Sequence, residues 1–310
     1  MHILCVTPNV AIDRTLVVPG FAIGGVWRAT KVHVACGGKG VNVARAVAAL
    51  GHRATCAGML GGRMGYLVAE LAAAEGLDTA WTWMDHGDNR TCVIIVGGDG
   101  TASVINEPGC AISAATWDRF VGDVAAAAQG ADVVCISGSL PPGTPAGGLS
   151  ALVGGAGRPG CPVWVDVSGA ALAEALSAPV AGVKVNADEA AALAGHPIVS
   201  AEDAAAAAEA IRRDGAPCVA VTLGAAGAVL VGDGSRLWAR PPPIAAISAV
   251  GSGDCFLAGL VAGWPEGGSA EDALRLATAA GAANALRTTA GLTPADVARL
   301  RAETTLKPLL

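Results

Sequence analysis

The strongest constraint in this chain is an alternation. Short, mostly apolar runs rich in β-branched residues recur between alanine- and leucine-rich stretches of helical period. Ile3–Val6, Ala131–Ile136, Val163–Val167, Val183–Val185 and Val219–Thr222 read as strands of the kind buried on both faces of a parallel sheet. Val41–Leu50 reads as a helix, with Val43, Val47 and Leu50 at helical spacing and Gly51 as its stop. Leu67–Ala74, ending at Gly76, is a second helix, and Ala201–Arg213, Phe256–Gly263 and Glu271–Leu286 are others. Parallel strands need crossovers, so the alternation specifies βαβ units and a doubly wound, mostly parallel sheet flanked by helices.

Two segments break the rhythm. Arg14–Val18 with Trp27–Val34, and Thr91–Val96 with Ala102–Asn106, read as hairpin pieces without intervening helices. Gly97-Gly98-Asp99-Gly100 supplies the turn of the second. Strands of this kind suit a small β-sheet lid over the strand ends, where α/β sheets bind ligands. The alternative makes them edge strands of the main sheet. The expected division is a main domain at 1–12, 35–88 and 107–310, with a lid at 13–34 and 89–106.

Composition narrows the class. The chain is 53% hydrophobic and 15% charged, which excludes a disordered polypeptide. Its 43 glycines follow no three-residue period, so collagen is excluded. No long apolar stretch is free of charge, proline and glycine clusters, so a spanning helix and a membrane partner are not expected. Net charge is −6, without a Lys/Arg run, which argues against nucleic acid as partner. Nine cysteines without a C-x-x-C pair, several in strand-like runs, fit small hydrophobes in a reduced, cytoplasmic setting. The N-terminus runs straight into a strand without a basic leader.

Five short motifs carry possible chemistry, each with a plainer account beside it. Gly251-Ser252-Gly253-Asp254 precedes an apolar helix. Converging backbone N–H groups and a helix N-terminus there can hold an anion, with Asp254 beside them as a base. Asp254 can equally be a capping carboxylate. Gly37-Gly38-Lys39-Gly40 leads into a helix with Asn42 in its first turn. It fails the Walker pattern, since Val41 stands where Ser or Thr would hold magnesium, and G-x-G-x-x-G is absent as well. It can hold a polyol or a phosphate, or be an ordinary turn with a solvated lysine. Ser137-Gly138-Ser139 ends a buried strand, as a ligand site or a hydroxyl-stabilised turn. Asn186 and Glu189 match a capping box, or a carboxylate that organises hydrated magnesium. Thr222–Gly227 suits the close approach of a nucleotide, or a hairpin.

Order and combination of the motifs go further than any one alone. From Asn9…Asp13 through Gly37–Arg45, Arg90-Thr91, Asn106–Gly109, Ser137–Gly143, Asp166…Gly169, Asn186…Glu189 and Thr222–Gly227 to Gly251–Asp254, the sequence resembles the PfkB/ribokinase family of carbohydrate kinases. Within it, the likeness is to the hexose-phosphate branch of 1-phosphofructokinases, tagatose-6-phosphate kinases and minor-type 6-phosphofructokinases. The resemblance implies a ribokinase-like α/β domain with a β-lid. It implies ATP- and Mg²⁺-dependent phosphorylation of fructose 1-phosphate, tagatose 6-phosphate or fructose 6-phosphate. By matching position, Asp254 is the base and Gly251, Ser252 and Gly253 are the anion hole. Asp13, Gly38 and Asn42 fall on the sugar, while Lys39, Arg90 and Ser139 fall on the phosphate it carries. Lys184, Asn186, Thr222, Gly224, Gly227 and Asn284 fall at ATP, and Glu189 at magnesium through water. The family also implies a homodimer through the lid.

Departures from the family pattern bear on the substrate. Val10, Val185 and Cys110 stand where prolines are usual, which touches turn geometry. Val26-Trp27-Arg28 offers one lid cation where some 6-phosphofructokinases have two, and Lys39 fits the 1-phosphofructokinase and tagatose-6-phosphate kinase pattern better. The competing expectations are a kinase for an unphosphorylated sugar or nucleoside, and a catalytically silent ligand-binding or regulatory protein on the same scaffold.

Overall fold

The computed structural model describes residues 1–98, 101–232, 234–264 and 268–309. The strands are β1 (His2–Thr7), β2 (Ala11–Val17), β3 (Lys31–Gly37), β4 (Arg53–Leu60), β5 (Asp78–Trp83), β6 (Arg90–Val96) and β7 (Ala102–Asn106), followed by β8 (Val133–Ser137), β9 (Val163–Asp166), β10 (Gly182–Asn186), β11 (Cys218–Thr222), β12 (Ala228–Gly232), β13 (Ser235–Arg240) and β14 (Thr305–Pro308). The helices are α1 (Lys39–Ala49), α2 (Gly62–Ala74), α3 (Ala114–Ala128), α4 (Gly148–Ala156) and α5 (Ala170–Leu176), then α6 (Ala187–Ala194), α7 (Ala201–Arg213), α8 (Ser252–Ala262), α9 (Ala270–Ala285) and α10 (Pro294–Glu303).

The main sheet has ten strands in the order β14-β13-β12-β11-β10-β9-β8-β1-β4-β5. From β11 to β5 every pairing is parallel, and β12, β13 and β14 add an antiparallel edge. Strand order reverses between β1 and β8, because the chain first builds outward through β4 and β5, then crosses back to β8. A crevice opens at such a reversal, beyond the carboxyl ends of the strands.

Alternation along β1 explains the two cores. Ile3 and Cys5 face a cluster that includes α1, α2, α8 and α9, while Leu4 and Val6 face one with α3, α4, α5 and α7. Helices thus cover both faces, as a wholly buried parallel sheet requires. Alanine lets α8 and α9 approach closely: Ala258, Ala277 and Ala280 are fully buried, and a Cβ on Gly259 would come 2.8 Å from the Ala277 backbone.

The irregular segments form a separate sheet, β3-β2-β6-β7. The edge-strand alternative is therefore excluded. Strand limits differ from the sequence expectation: β2 starts at Ala11 and β3 begins only at Lys31. Trp27 lies in the connecting loop, its indole N–H donating to the Ala22 carbonyl at 2.9 Å. In the expected Gly97–Gly100 turn, Asp99 and Gly100 lie outside the described residues. The second helix also starts earlier than its apolar stripe, at Gly62, where the Asp88 carboxylate accepts from the Met64 N–H at 2.7 Å. No helix among the described residues is long and apolar enough to cross a membrane.

Phe120 of α3 is fully buried and meets Trp117 edge-on at 5.5 Å. Phe120→Ala should lower unfolding free energy by about 3–5 kcal/mol, read from urea denaturation followed by far-UV circular dichroism. A loss below about 1 kcal/mol would mean that this face of the sheet repacks freely.

Candidate active site

A cleft of about 1420 Å³ runs between the carboxyl ends of the parallel strands and the inner face of the small sheet. Thr7, Ser139, Ser168, Lys184 and Thr222 line its floor from β1, β8, β9, β10 and β11 or the turns that follow them. Asp13, Arg90, Cys92, Ile94, Val104 and Asn106 close it from β2, β6 and β7. The fold therefore brings a rigid polar floor against a β-sheet roof.

At the centre lies Asp254 in the first turn of α8, buried to 5% exposure. Gly251 precedes that helix with φ 83°, a conformation open to glycine at little cost, and a Cβ there would strike Ala290. The resulting turn leaves the N–H groups of Gly253 and Asp254 without an acceptor among the described residues. The Ser252 N–H is different: it donates to the Ala249 carbonyl at 3.1 Å. Asn284 is fully buried and pins this loop. Its amide donates to the Val250 carbonyl at 2.8 Å and to Ser252 Oγ at 3.0 Å, while its oxygen accepts from the Gly291 N–H at 2.9 Å. Asn284 thus supports the loop from behind and does not line the cleft.

Charge organises the rest. Asp166 is fully buried and accepts from Lys39 and Lys184, each at 2.9 Å. Burial by itself would raise its pKa, but the two ammonium groups outweigh that and hold it below the usual carboxylate range. Asp254 has the opposite balance. Burial, reinforced by the negative charge of Asp166, pushes it up to about 6 against the pull of Lys39, the Asn42 hydrogen bond and Lys184. Asn42 donates to Asp254 Oδ2 at 2.8 Å. Asp13 is likewise raised to about 6 by burial, moderated by Arg45 and Arg90. Its carboxylate packs onto Gly37, where a Cβ would collide with it.

Fifteen of the seventeen expected site residues line this one cleft: Asp13, Gly38, Lys39, Asn42, Arg90, Ser139, Lys184, Asn186, Thr222, Gly224, Gly227, Gly251, Ser252, Gly253 and Asp254. Asn284 and Glu189 do not. Arg90 pairs with no carboxylate among the described residues; its guanidinium donates to the Asn9 and Glu107 carbonyls. Asn186 and Glu189 make the reciprocal capping box on α6, each side chain accepting from the other's backbone N–H at 2.8 Å. The neighbouring Asp188 lines the cleft instead. Among the described residues no three His, Cys, Asp or Glu side chains converge as a metal cage. The donor set fits only a metal whose shell is completed by phosphate oxygens and water, the usual habit of magnesium.

Sequence reasoning assigned no role to several cleft residues. Asp166 stood in a matching motif, but its two lysines lie far from it in sequence. Arg240-Pro241-Pro242-Pro243 lines the nucleotide-turn side with Ile244, a run of prolines without local chemical character. Thr7 and Thr278 line the cleft with buried hydroxyls that find no partner among the described residues.

A small β-sheet over the switch point of a doubly wound sheet, with a buried carboxylate at a glycine-made helix N-terminus, defines a class of phosphotransferase-like sites. Comparison makes the class specific. The pattern of the pfkB family carbohydrate kinases matches residues 1–296, and the chain belongs to that family. A 1-phosphofructokinase of Rhodobacter capsulatus is 37% identical over 281 residues, covering 90% of this chain and 89% of the relative. The Escherichia coli K12 1-phosphofructokinase is 33% identical over 315 residues, covering 99% and 98%. Among solved structures, Escherichia coli phosphofructokinase-2 in complex with substrates and products superposes with TM-score 0.89 at 31% identity, covering 97% of this chain and 99% of that one. As a member of that family the chain is a carbohydrate kinase.

The raised Asp254 has a consequence for stability. Its folded pKa of about 6 exceeds the 3.8 of an unperturbed carboxyl, so the folded state binds the proton more tightly than the unfolded state. Ionisation therefore costs stability as pH rises from about 4 to 6, and the cost persists above that. Asp254→Asn should melt at higher temperature than the parent at pH 7–8, with the gap closing toward pH 4. An equal or lower melting temperature at pH 8 would contradict the electrostatic account.

Proposed function

We propose that the chain transfers the γ-phosphoryl group of ATP to a hydroxyl of a ketohexose phosphate: fructose 1-phosphate, tagatose 6-phosphate or fructose 6-phosphate. One observation carries this reading. A buried carboxylate sits beside unsatisfied N–H groups at a helix N-terminus, inside a cleft large enough for two ligands. In phosphoryl transfer the protein mainly positions reactants and neutralises charge, so one base with adjacent anion donors is what the chemistry needs. Asp254 takes the proton of the acceptor hydroxyl. The N–H groups of Gly251, Gly253 and Asp254 meet the charge that develops on the phosphoryl oxygens. Ser252 contributes by shaping the turn, because its own N–H is committed to Ala249.

Asp13, Gly38 and Asn42 hold the sugar. Lys39, Arg90 and Ser139 face the phosphate already on it. Thr222, Gly224, Gly227, Lys184 and Asn186 serve the nucleotide end, and Asn284 acts through the loop it pins. The first turn of α6, where Asp188 lines the cleft and Glu189 caps Asn186, would hold magnesium through water, and the ion would neutralise charge on the phosphates. The names of the 1-phosphofructokinase relatives favour a phosphorylated acceptor. The four-stranded sheet acts as the lid, with the segments around 13–34 and 89–106 moving against the rest. Val32 and Ile105 of its strands, with Ile23 and Val26 of the loop between β2 and β3, are exposed and apolar and suit a homodimer through this sheet. The reduced cysteines of the sheet fit a cytoplasmic enzyme.

A second reading has one observation in its favour. Lys39 is paired with Asp166, and Arg90 already donates through Nε and Nη1 to two carbonyls, so neither cation is wholly free, which fits an acceptor that carries no phosphate. An ADP-release screen with ATP–Mg²⁺ separates the readings. Fructose 1-phosphate, fructose 6-phosphate and tagatose 6-phosphate should exceed free fructose in kcat/KM by about 100-fold or more, the worth of two charge-assisted hydrogen bonds. Equal values would transfer the assignment to an unphosphorylated sugar. Lys39→Met should erode that preference by about tenfold or more.

Asp254→Asn should lower kcat by about 10²–10⁴-fold while acceptor binding measured by calorimetry persists. Because the base must be ionised, kcat/KM should fall as pH drops through about 6. Turnover near the parental level in Asp254→Asn would remove the base assignment.

A further inference from the structure

The function derived above uses Asn42 and Asp254 but not the residues that hold Asn42. Arg45 lies one helical turn beyond it on α1, and its guanidinium donates to Asn42 Oδ1 at 2.9 Å. From the other end of the same amide, Asn42 Nδ2 donates to Asp254 Oδ2 at 2.8 Å. These two contacts leave one amide orientation. A guanidinium has no acceptor and a carboxylate has no donor, so a flipped amide would set N–H against N–H and oxygen against oxygen. Arg45 is itself clamped: Glu75, at the C-terminal end of α2, takes two of its N–H groups, and the Cys36 carbonyl of β3 takes another. A planar fork with five donors can serve all three partners together, which an ammonium cannot.

We propose that Arg45, braced by Glu75, is a positioning residue that fixes the Asn42 amide toward Asp254 and ties the lid stem at Cys36 to the catalytic carboxylate. This inference rests on the reading of Asp254 as base. Arg45 touches no reacting atom in this scheme; it acts by removing the alternative amide orientation. Its charge also faces Asp13, which packs against the adjacent Gly37. The groups that set the ionisation of Asp254 are Lys39 and Asn42 from α1, Lys184 from β10 and Asp166 from β9. Among these, only Asn42 is under the control of Arg45.

The test is a pH–rate series with a double-mutant cycle, using the best acceptor from the hexose-phosphate panel with ATP–Mg²⁺. Arg45→Met should lower kcat/KM at pH 7 by about tenfold and move the acid limb upward by about one unit, because Asp254 loses an oriented donor. In an Asn42→Ala background the same change should cost less than about twofold. Arg45→Lys should rescue in part, by keeping the charge beside Asp13 without the fork. Glu75→Gln, a change at a half-exposed helix end, should shift the limb in the same direction by a smaller amount, and it carries the test if Arg45→Met melts early. A limb that stays fixed in both Glu75→Gln and Arg45→Lys, or costs that add fully across the cycle, would overturn the proposal. Asp254→Asn, run beside them, keeps the two readings apart. If it retains turnover, the base assignment fails; if it is inactive while the cycle is additive, the positioning role alone fails.

Discussion

Everything at the floor of the cleft depends on one buried anion. Asp166 has no exposure to solvent, and a lone carboxylate there would abandon its charge. Lys184 and Lys39 prevent that by closing on it from two directions. The cost of burying an ion pair is usually recovered only when its hydrogen bonds are well made. Here both carboxylate oxygens are taken, one by each lysine. The arrangement also fixes where the lysines stand. Lys184 lies against Gly253, whose missing side chain is what lets the ammonium come so near the start of α8. Lys39 opens α1 from the opposite side of the cleft. One carboxylate therefore sets the distance between two helix N-termini.

The sheet explains why those termini meet. Strand order reverses between β1 and β8, and the loops after these strands part at that seam. Gly38 and Gly40 let α1 sit tightly over the end of β1, where a side chain at either position would strike Thr7 or the Val6 backbone. The second sheet grows from the same region, since β2 follows β1 after a three-residue gap and β3 leads directly into α1. Roof and floor are thus joined by two short covalent connections, one from β1 to β2 and one from β3 to α1. Arg45 adds a noncovalent brace between β3 and α1 at that junction.

How much of this was legible in sequence depended on how local each signal was. Val43, Val47 and Leu50 announced α1 because a helix stripe is a local pattern. Gly251–Asp254 was legible because the turn before α8 and its carboxylate are made by consecutive residues. The small sheet was legible as hairpins, but its limits were not: Trp27 carries high strand propensity, and the loop bond to Ala22 overrode it. Several helices escaped notice because glycines and alanines dilute their stripes, α4 (Gly148–Ala156) among them. Asp166 and Arg45 lay inside motifs that matched the family, yet neither revealed its partners. Their meaning is made by convergence of residues from separate strands and helices, which no local pattern encodes. The capping box at Asn186 and Glu189 is the reverse case, where the plain account of the sequence is the geometry observed.

The balance of charge around the cleft then acquires a direction. Asp13 and Asp254 are both raised to about 6 because burial dominates their surroundings, whereas Asp166 is held low because two cations touch it. Two carboxylates are therefore left poised close to neutrality, and the third is committed as a counter-ion. A group poised in that way can accept a proton from a hydroxyl without first breaking an ion pair. Lys39 has the more exposed ammonium of the two lysines. Lys184, at 4% exposure, has little room to leave. This asymmetry gives the two lysines different roles. In the proposed reaction Lys39 is the lysine that an anion could draw from Asp166, and Lys184 is the one that keeps Asp166 charged.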